Sequence, residues 1–132
     1  MKKIIILVIL IVVALFVIAT DVVVDPVQNW VIKNEKNSSA PRIQYSLASY
    51  LYMVAQRQSK AVELYKTAFQ HFPGYPDERE AHYRVGLYYE TKKDYPKAIE
   101  EYQFIIQKWP DMAEKLSLTQ RIERFKAYSG NS

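Results

Sequence analysis

The chain has 132 residues, a net charge of +4 and no cysteine, and this length suits one small folded domain beside a membrane segment. Basic and acidic residues are interspersed along the chain, which disfavours a nucleic-acid-binding surface. The lack of cysteine excludes a disulfide, a thiolate metal site and a lipid-modified cysteine in this chain.

The first predicted element is a membrane anchor over residues 1–24. Lys2 and Lys3 precede an unbroken apolar run, Ile4–Ala19, which covers about 24 Å as a helix against a hydrocarbon core of about 30 Å. The two lysines are expected to stay in the cytoplasm while the rest of the chain crosses the membrane. In a bacterium this predicts a single-pass inner-membrane protein with a periplasmic C-terminal domain. The same run also fits a secretory signal that is cleaved before Thr20.

Residues 25–41 are predicted to form an interfacial segment followed by a linker. Asp25 and Pro26 fit the N-cap and the first position of a short helix. Trp30 would lie on that helix at the level of the lipid headgroups, or else pack against the folded domain or a partner. The polar stretch 34–41 is typical of a linker.

Two helical hairpins are predicted next. The segments Arg42–Tyr75 and Arg79–Met112 align at an offset of thirty-seven residues. The matching pairs are Tyr45/His82, Ala48/Val85, Ser49/Gly86, Tyr52/Tyr89, Ala61/Ala98, Tyr65/Tyr102, Ala68/Ile105 and Pro73/Pro110. Gly86 and Ala98 are small where two helices would cross, so that the backbones can approach closely. Asp94 is placed to cap the second helix of the second hairpin.

An amphipathic capping helix is predicted over Ala113–Tyr128. Its apolar residues recur at the spacing of one helix face: Leu118, Ile122 and Phe125. Together with the hairpins, this helix completes a domain over residues 42–128. Gly130 marks the expected end of the helix, and residues 129–132 form a tail.

The second hairpin carries the residues that point to a family. Gly86, Tyr89, Ala98, Tyr102 and Pro110 stand at the offsets of a tetratricopeptide repeat (TPR). The chain therefore resembles the TPR superfamily, and in particular its membrane-anchored periplasmic type. This resemblance implies an all-α fold, with an N-terminal transmembrane helix followed by a short solenoid of two repeats plus a C-terminal capping helix. Because TPR domains bind proteins, it also implies a non-catalytic module without a cofactor.

In TPR arrays the first helix of each repeat lines a groove that binds protein partners. By analogy with the family positions, the groove side of this chain comprises Ile43, Ser46, Tyr50, Met53, Val54, Glu80, Tyr83, Leu87 and Glu90. The predicted membrane-interface residues are Lys2, Lys3 and Trp30. No catalytic or cofactor-binding residue is assigned. A metal site at His71 and His82 is disfavoured, because such histidines are far more often surface residues.

Two functions follow from these features. In the first, the chain is a small membrane-anchored accessory subunit that helps to assemble or stabilise a larger bacterial envelope complex. In the second, it is a free periplasmic adaptor that binds a peptide or a soluble protein reversibly through its groove. Solenoids generally need about three repeats, so a further surface is expected to cover the first hairpin: the segment Val27–Val31, the membrane or another subunit. This expectation favours the first function.

Overall fold

Every regular element that the structure describes is an α-helix. The computed structural model describes Met1–Ser129 and confirms the predicted all-α fold class. The eight helices of these residues are α1 (Lys2–Ile18), α2 (Asp21–Lys33), α3 (Ala40–Met53), α4 (Gln58–His71), α5 (Glu78–Thr91), α6 (Tyr95–Lys108), α7 (Pro110–Lys115) and α8 (Leu118–Ser129). Ser129, the first residue of the predicted tail, belongs to α8, whereas Gly130, the expected end of the last helix, and residues 131–132 lie outside the described residues.

The chain forms two compact units. The first comprises Met1–Phe72 and contains α1 to α4, and the second begins at Pro73 and contains α5 to α8. Each unit is built around one hairpin, α3 with α4 and α5 with α6. In the first unit α2 packs on α3, whereas in the second α7 and α8 pack on α6.

The two hairpins repeat the same local structure. α4 and α6 each have 14 residues, and α6 begins thirty-seven residues after α4. The corner that joins the two helices is left-handed at matching positions, with φ of 57° at Gln56 and 59° at Lys93. The predicted cap of α6 is confirmed, because the Asp94 carboxylate accepts a hydrogen bond from the Lys97 backbone N–H.

The second hairpin closes around Gly86, as its small size predicts. Tyr102 is fully buried, and its ring lies directly against the glycine. A Cβ at this position would lie 2.8 Å from Tyr102 Cδ1 and closer still to Cε1. In the first hairpin the matching residues are Ser49 and Tyr65, and their hydroxyl oxygens are 3.0 Å apart. In both hairpins the two helices therefore cross at the same pair of positions. In the second hairpin the contact is a ring against a glycine, and in the first it is a pair of hydroxyl groups.

The helix α2 begins earlier than the sequence predicts. The sequence predicts Asp25 as the N-cap, whereas the helix begins at Asp21. Pro26 therefore lies inside α2, where its missing N–H and its ring cost about 3 kcal/mol. Val24 and Val31, seven residues apart on one face, are fully buried. Burying them contributes roughly 1.5–3 kcal/mol each, which offsets the cost of the proline.

This helix also provides a cover for the first hairpin. The sequence leaves three surfaces open for that role, and one of them is the segment Val27–Val31. α2 contains this segment and contacts α3 within the first unit. The predicted boundary between the membrane anchor and the interfacial segment, at residue 24, therefore lies inside one continuous helix. Val24 and Val31, on either side of that boundary, belong to the same buried face of α2.

The predicted transmembrane helix over residues 1–24 is not confirmed. α1 has 17 residues and ends at Ile18, so it covers about 25 Å. None of the helices in Met1–Ser129, taken alone, has both the length and the apolar composition of a membrane span. α1 and α2 meet the requirement only as a pair, and they are bent by 58° where they join. The bend coincides with the point at which the chain leaves its exposed apolar run and packs on α3.

The predicted capping helix over residues 113–128 is divided in two. α7 ends at Lys115 and α8 begins at Leu118, and Ser117 between them has a left-handed φ of 52°. The predicted apolar face is confirmed, because Leu118, Ile122 and Phe125 are buried in one core cluster with residues of α6. The break lets both short helices contact α6.

Gly86→Ala is expected to destabilise the second unit by about 1–3 kcal/mol, the usual cost of overfilling a packed core. Inside a helix, replacing glycine by alanine normally stabilises the folded protein by about 0.5–1 kcal/mol. The sign of the change in the free energy of unfolding therefore tests the close packing of Gly86 against Tyr102. The measurement is thermal unfolding of the full-length chain in mild detergent, followed by circular dichroism. In a Tyr102→Leu background the alanine should no longer be destabilising. Higher stability of the single variant would contradict the close contact with Tyr102.

Candidate functional site

α1 is apolar on every side and exposed along its whole length. None of its residues is buried, and its large apolar residues from Ile4 to Ile18 are each at least 41% exposed. A helix that is apolar all round normally lies in a protein core or in a membrane. A continuous exposed surface of this kind marks a contact with lipid or with another protein. α1 is therefore the first candidate interaction surface.

Arg57 links the end of α1 to the start of α2. Its guanidinium donates hydrogen bonds to the Ala19 carbonyl and to the Asp21 carboxylate, the latter at 2.8 Å. A cation at this place stabilises the carbonyl-rich C-terminus of α1. The hydrogen bond from Arg57 also lowers the pKa of Asp21. Tyr50 adds a further contact, because its hydroxyl donates to the Leu15 carbonyl one turn earlier in α1.

Further polar contacts hold α2 and the residues after it alongside α4. The pairs are Asp25 with Lys60 at 2.9 Å, Gln28 with Thr67 at 3.2 Å and Glu35 with His71 at 3.0 Å. The hydrogen bond to Asp25 raises the pKa of Lys60. Because the residue numbers rise together on both sides, α2 and α4 run in the same direction.

A largely apolar cavity of about 690 Å³ lies between α1 and the corner of the first hairpin. Its lining residues come from the second half of α1, the joint with α2, the end of α3 and the corner after it: Val12, Leu15, Phe16, Ala19, Thr20, Asp21, Tyr50, Val54, Ala55, Gln56 and Arg57. Val54 and Phe16 are 61% and 77% exposed, so apolar surface continues from the cavity onto the outside of the unit. The end of α1 and this corner thus form one apolar region.

The groove residues predicted on the first hairpin have different surroundings. Ile43 is half-buried and Ser46 is exposed on α3. Tyr50 is half-buried and engaged with α1. Met53 and Val54 lie at the corner, 60% and 61% exposed. The C-terminal end of the predicted groove side therefore adjoins α1 rather than an open groove.

On the second hairpin, α7 lies beside part of the predicted groove. Glu80 is exposed and pairs with Arg84 of the same helix at 3.6 Å. Tyr83 and Leu87 are half-buried. Glu80 and Tyr83 line a cavity of about 350 Å³ together with Asp111 and other residues of α7. α7 therefore lies over part of the predicted groove side of α5.

Glu90, the last predicted groove residue, is engaged by two residues of its own unit. The Tyr102 hydroxyl donates to its carboxylate at 2.7 Å, and Arg121 of α8 donates at 3.3 Å. Burial, together with the hydrogen bond to Glu90, raises the pKa of Tyr102. Glu90 thus connects α5, α6 and α8, and part of its charge is balanced within the fold.

The predicted membrane-interface residues lie on α1 and α2. Lys2 and Lys3 begin α1, and both are exposed. Trp30 lies on α2 and is 42% exposed. Val31, rather than Trp30, provides the buried contact of this part of α2.

Sequence reasoning missed Arg57 and the polar pairs between α2 and α4. The available signal was the spacing of charges: Asp21 and Asp25 stand four residues apart, and Arg57 and Lys60 stand three apart, so each pair lies on one helix face. Assigning residues 1–24 to a membrane anchor hides this signal, because it separates Asp21 from Asp25.

A buried polar cluster in the second hairpin was also missed. Glu78 and His82 are only 3% and 7% exposed. His82 Nδ1 lies 2.6 Å from Glu101, while Lys108 donates to both carboxylate oxygens of Glu78 at 3.1 Å. Glu78 also accepts the Gly74 N–H at 2.6 Å, so its buried carboxylate is paired. Within Met1–Ser129, no group of three or more ligating side chains could hold a metal ion.

Comparison of the chain with protein-family models, curated proteins and solved structures finds no match. The TPR resemblance therefore depends on the repeat positions in the sequence. Function has to be inferred from the surfaces described above: the exposed length of α1, the apolar corner of the first hairpin and the partly covered face of α5.

The stability of the second unit should fall above about pH 10 because of Tyr102. Its pKa is raised in the folded state, so unfolding releases a proton once the pH exceeds the ordinary tyrosine pKa of about 10. The free energy of unfolding then decreases by up to about 1.4 kcal/mol per pH unit. Tyr102→Phe should show a shallower decrease, measured by urea unfolding between about pH 9 and pH 11. Tyr88→Phe is the control, and equal slopes for the Tyr102 variant and the unmodified chain would refute this role.

Arg57→Ala should loosen the joint between α1 and α2. Without the guanidinium, the Ala19 carbonyl and the Asp21 carboxylate lose a donor, so local opening becomes easier. Backbone amides around residues 20–24 should then exchange hydrogen several-fold faster, measured by mass spectrometry on the full-length chain in detergent. Arg42→Ala changes an exposed arginine of the same unit and serves as the control. Unchanged exchange in the Arg57 variant would show that the joint does not depend on this side chain.

Proposed function

We propose that this protein is a non-catalytic interaction scaffold: a small membrane-anchored TPR subunit that helps to assemble or stabilise a larger bacterial envelope complex. α1 would serve as the anchor, and the two hairpins with their covering helices would bind protein partners. No cofactor is required for this role.

The exposed apolar surface of α1 is the observation that carries this function. A helix of 17 residues with none buried has to be covered by lipid or by a partner. Its length of about 25 Å is some 5 Å shorter than a hydrocarbon core of about 30 Å. Local thinning of the bilayer costs only fractions of a kcal/mol per Å, so a short helix is tolerated. Lipid is therefore a suitable environment for α1.

Lys2 and Lys3 support one orientation of this anchor. Positively charged residues beside a membrane segment favour the cytoplasmic side. The N-terminus would then lie in the cytoplasm and the hairpins in the periplasm, as a single-pass protein of the bacterial inner membrane.

The repeated hairpins support the assignment to the TPR superfamily and hence a protein-binding role. They share helix lengths, a left-handed corner residue and the offset of thirty-seven residues. Exposed residues of the predicted groove side, such as Ser46 and Glu80, remain accessible to a partner. α2 already covers part of the first hairpin, so the case for a permanent subunit depends on α1 rather than on an uncovered repeat.

A C-terminally tagged chain, extracted from native membranes in mild detergent, should co-purify with other membrane proteins at a fixed ratio. Its intact mass should begin at residue 1 or 2, because the anchor is retained. A variant that lacks residues 2–19 should appear in the soluble fraction and lose these partners. Recovery of the full chain alone, with a mass that begins near Thr20, would instead support the free periplasmic adaptor.

A further inference from the structure

The corner of the first hairpin exposes apolar residues on the surface of the first unit. Met53 ends α3 and is 60% exposed, and Val54 follows it at 61%. Ala55 is the next residue, before the left-handed Gln56. A turn on a protein surface is normally polar, so this corner requires a specific explanation.

The matching corner of the second hairpin shows that the turn itself does not require apolar residues. Thirty-seven residues further on, the same backbone conformation places Lys93 at the position of Gln56. The preceding residues are Glu90, Thr91 and Lys92, where the first hairpin has Met53, Val54 and Ala55. One corner is therefore charged and the other apolar, although both have the same left-handed turn.

Within the first unit, the apolar corner lies beside the end of α1. Val54 and Val12 line the same cavity, and Tyr50, one turn before Val54, donates to the Leu15 carbonyl. Leu15 stands three residues before the end of α1 at Ile18, or about 5 Å along the helix axis. The corner thus lies beside the last two turns of the exposed apolar helix and the residues that directly follow it.

We propose that residues 53–55 form a second membrane contact, in which the corner of the first hairpin enters the surface of the phospholipid bilayer beside α1. This inference rests on the proposed anchoring of α1. If the last turns of α1 are in lipid, side chains packed at their level meet the same lipid. Met53 and Val54 then exchange water for acyl chains, which favours insertion in proportion to their exposed apolar area.

The nearby polar groups suit this position. Tyr50 places an amphipathic ring and a bonded hydroxyl close to α1, which is typical of the interface between headgroups and acyl chains. The charge of Arg57 is paired with Asp21, and both lie on the side where α1 passes into α2. In this position the exposed side chains of Met53 and Val54 contact lipid, and the charged pair lies at the level of the headgroups.

Spin labelling on single cysteines tests this contact, because the chain contains no native cysteine. Leu10→Cys, Val54→Cys and Thr91→Cys are labelled with a nitroxide in the full-length chain, reconstituted in vesicles of phosphatidylethanolamine and phosphatidylglycerol. Position 10 reports the anchor, position 54 the apolar corner and position 91 the matching charged corner. Depth is measured as the ratio of collisions with oxygen, which enters lipid, to collisions with a water-soluble nickel chelate.

The ratio at position 54 should exceed that at position 91 several-fold and approach that at position 10. A lipid-like ratio at position 10, with water-like ratios at both 54 and 91, would overturn the second contact while leaving the anchor in place. Water-like ratios at all three positions would overturn both the anchor and the contact. Equally lipid-like ratios at 54 and 91 would also reject the proposal, because the two corners would then not differ.

Discussion

Two packed helices bury only the faces that they turn towards each other, so each hairpin of this protein needs another helix over its remaining apolar surface. In the first unit α2 meets this need with Val24 and Val31. In the second unit α8 does so with Leu118, Ile122 and Phe125. The early start of α2 follows from this requirement, because it brings Val24 into the face that packs on the first hairpin. The break between α7 and α8 follows from it as well, because it lets α8 place its apolar face on the second hairpin.

Burial alone does not determine how α2 lies along the first hairpin. Two valines seven residues apart would tolerate a shift of one turn, since apolar contacts are not directional. The pairs between Asp25 and Lys60 and between Arg57 and Asp21 restrict that freedom, because a shift of one turn would leave one aspartate and one basic side chain without a partner. Exposed pairs of this kind contribute only about 0–1 kcal/mol each. Their main effect is therefore on the register of α2 rather than on its stability.

The hairpins could be predicted from the sequence because their determinants are local. Small residues at the crossing, such as Gly86, and the cap at Asp94 recur at fixed spacing and need no knowledge of distant residues. The start of α2 could not be predicted in this way, since Asp21 and Asp25 are both suitable near a helix start, and contact with α3 decides between them. The engagement of Glu90 likewise depends on Arg121, thirty-one residues away. Contacts over such distances are set by packing, which periodicity does not encode.

The joint between α1 and α2 determines what kind of anchor α1 would be. Only Ala19 and Thr20 separate the two helices, and Arg57 donates to the carbonyl that ends α1. At a membrane surface this contact would satisfy backbone groups where water is scarce. A long flexible linker would let the first hairpin adopt any angle to α1, whereas this joint and the Tyr50 contact set one angle within the first unit. A hairpin held in that way presents the same side to its neighbours in the membrane, which suits a structural subunit better than an adaptor that must reach diffusing partners.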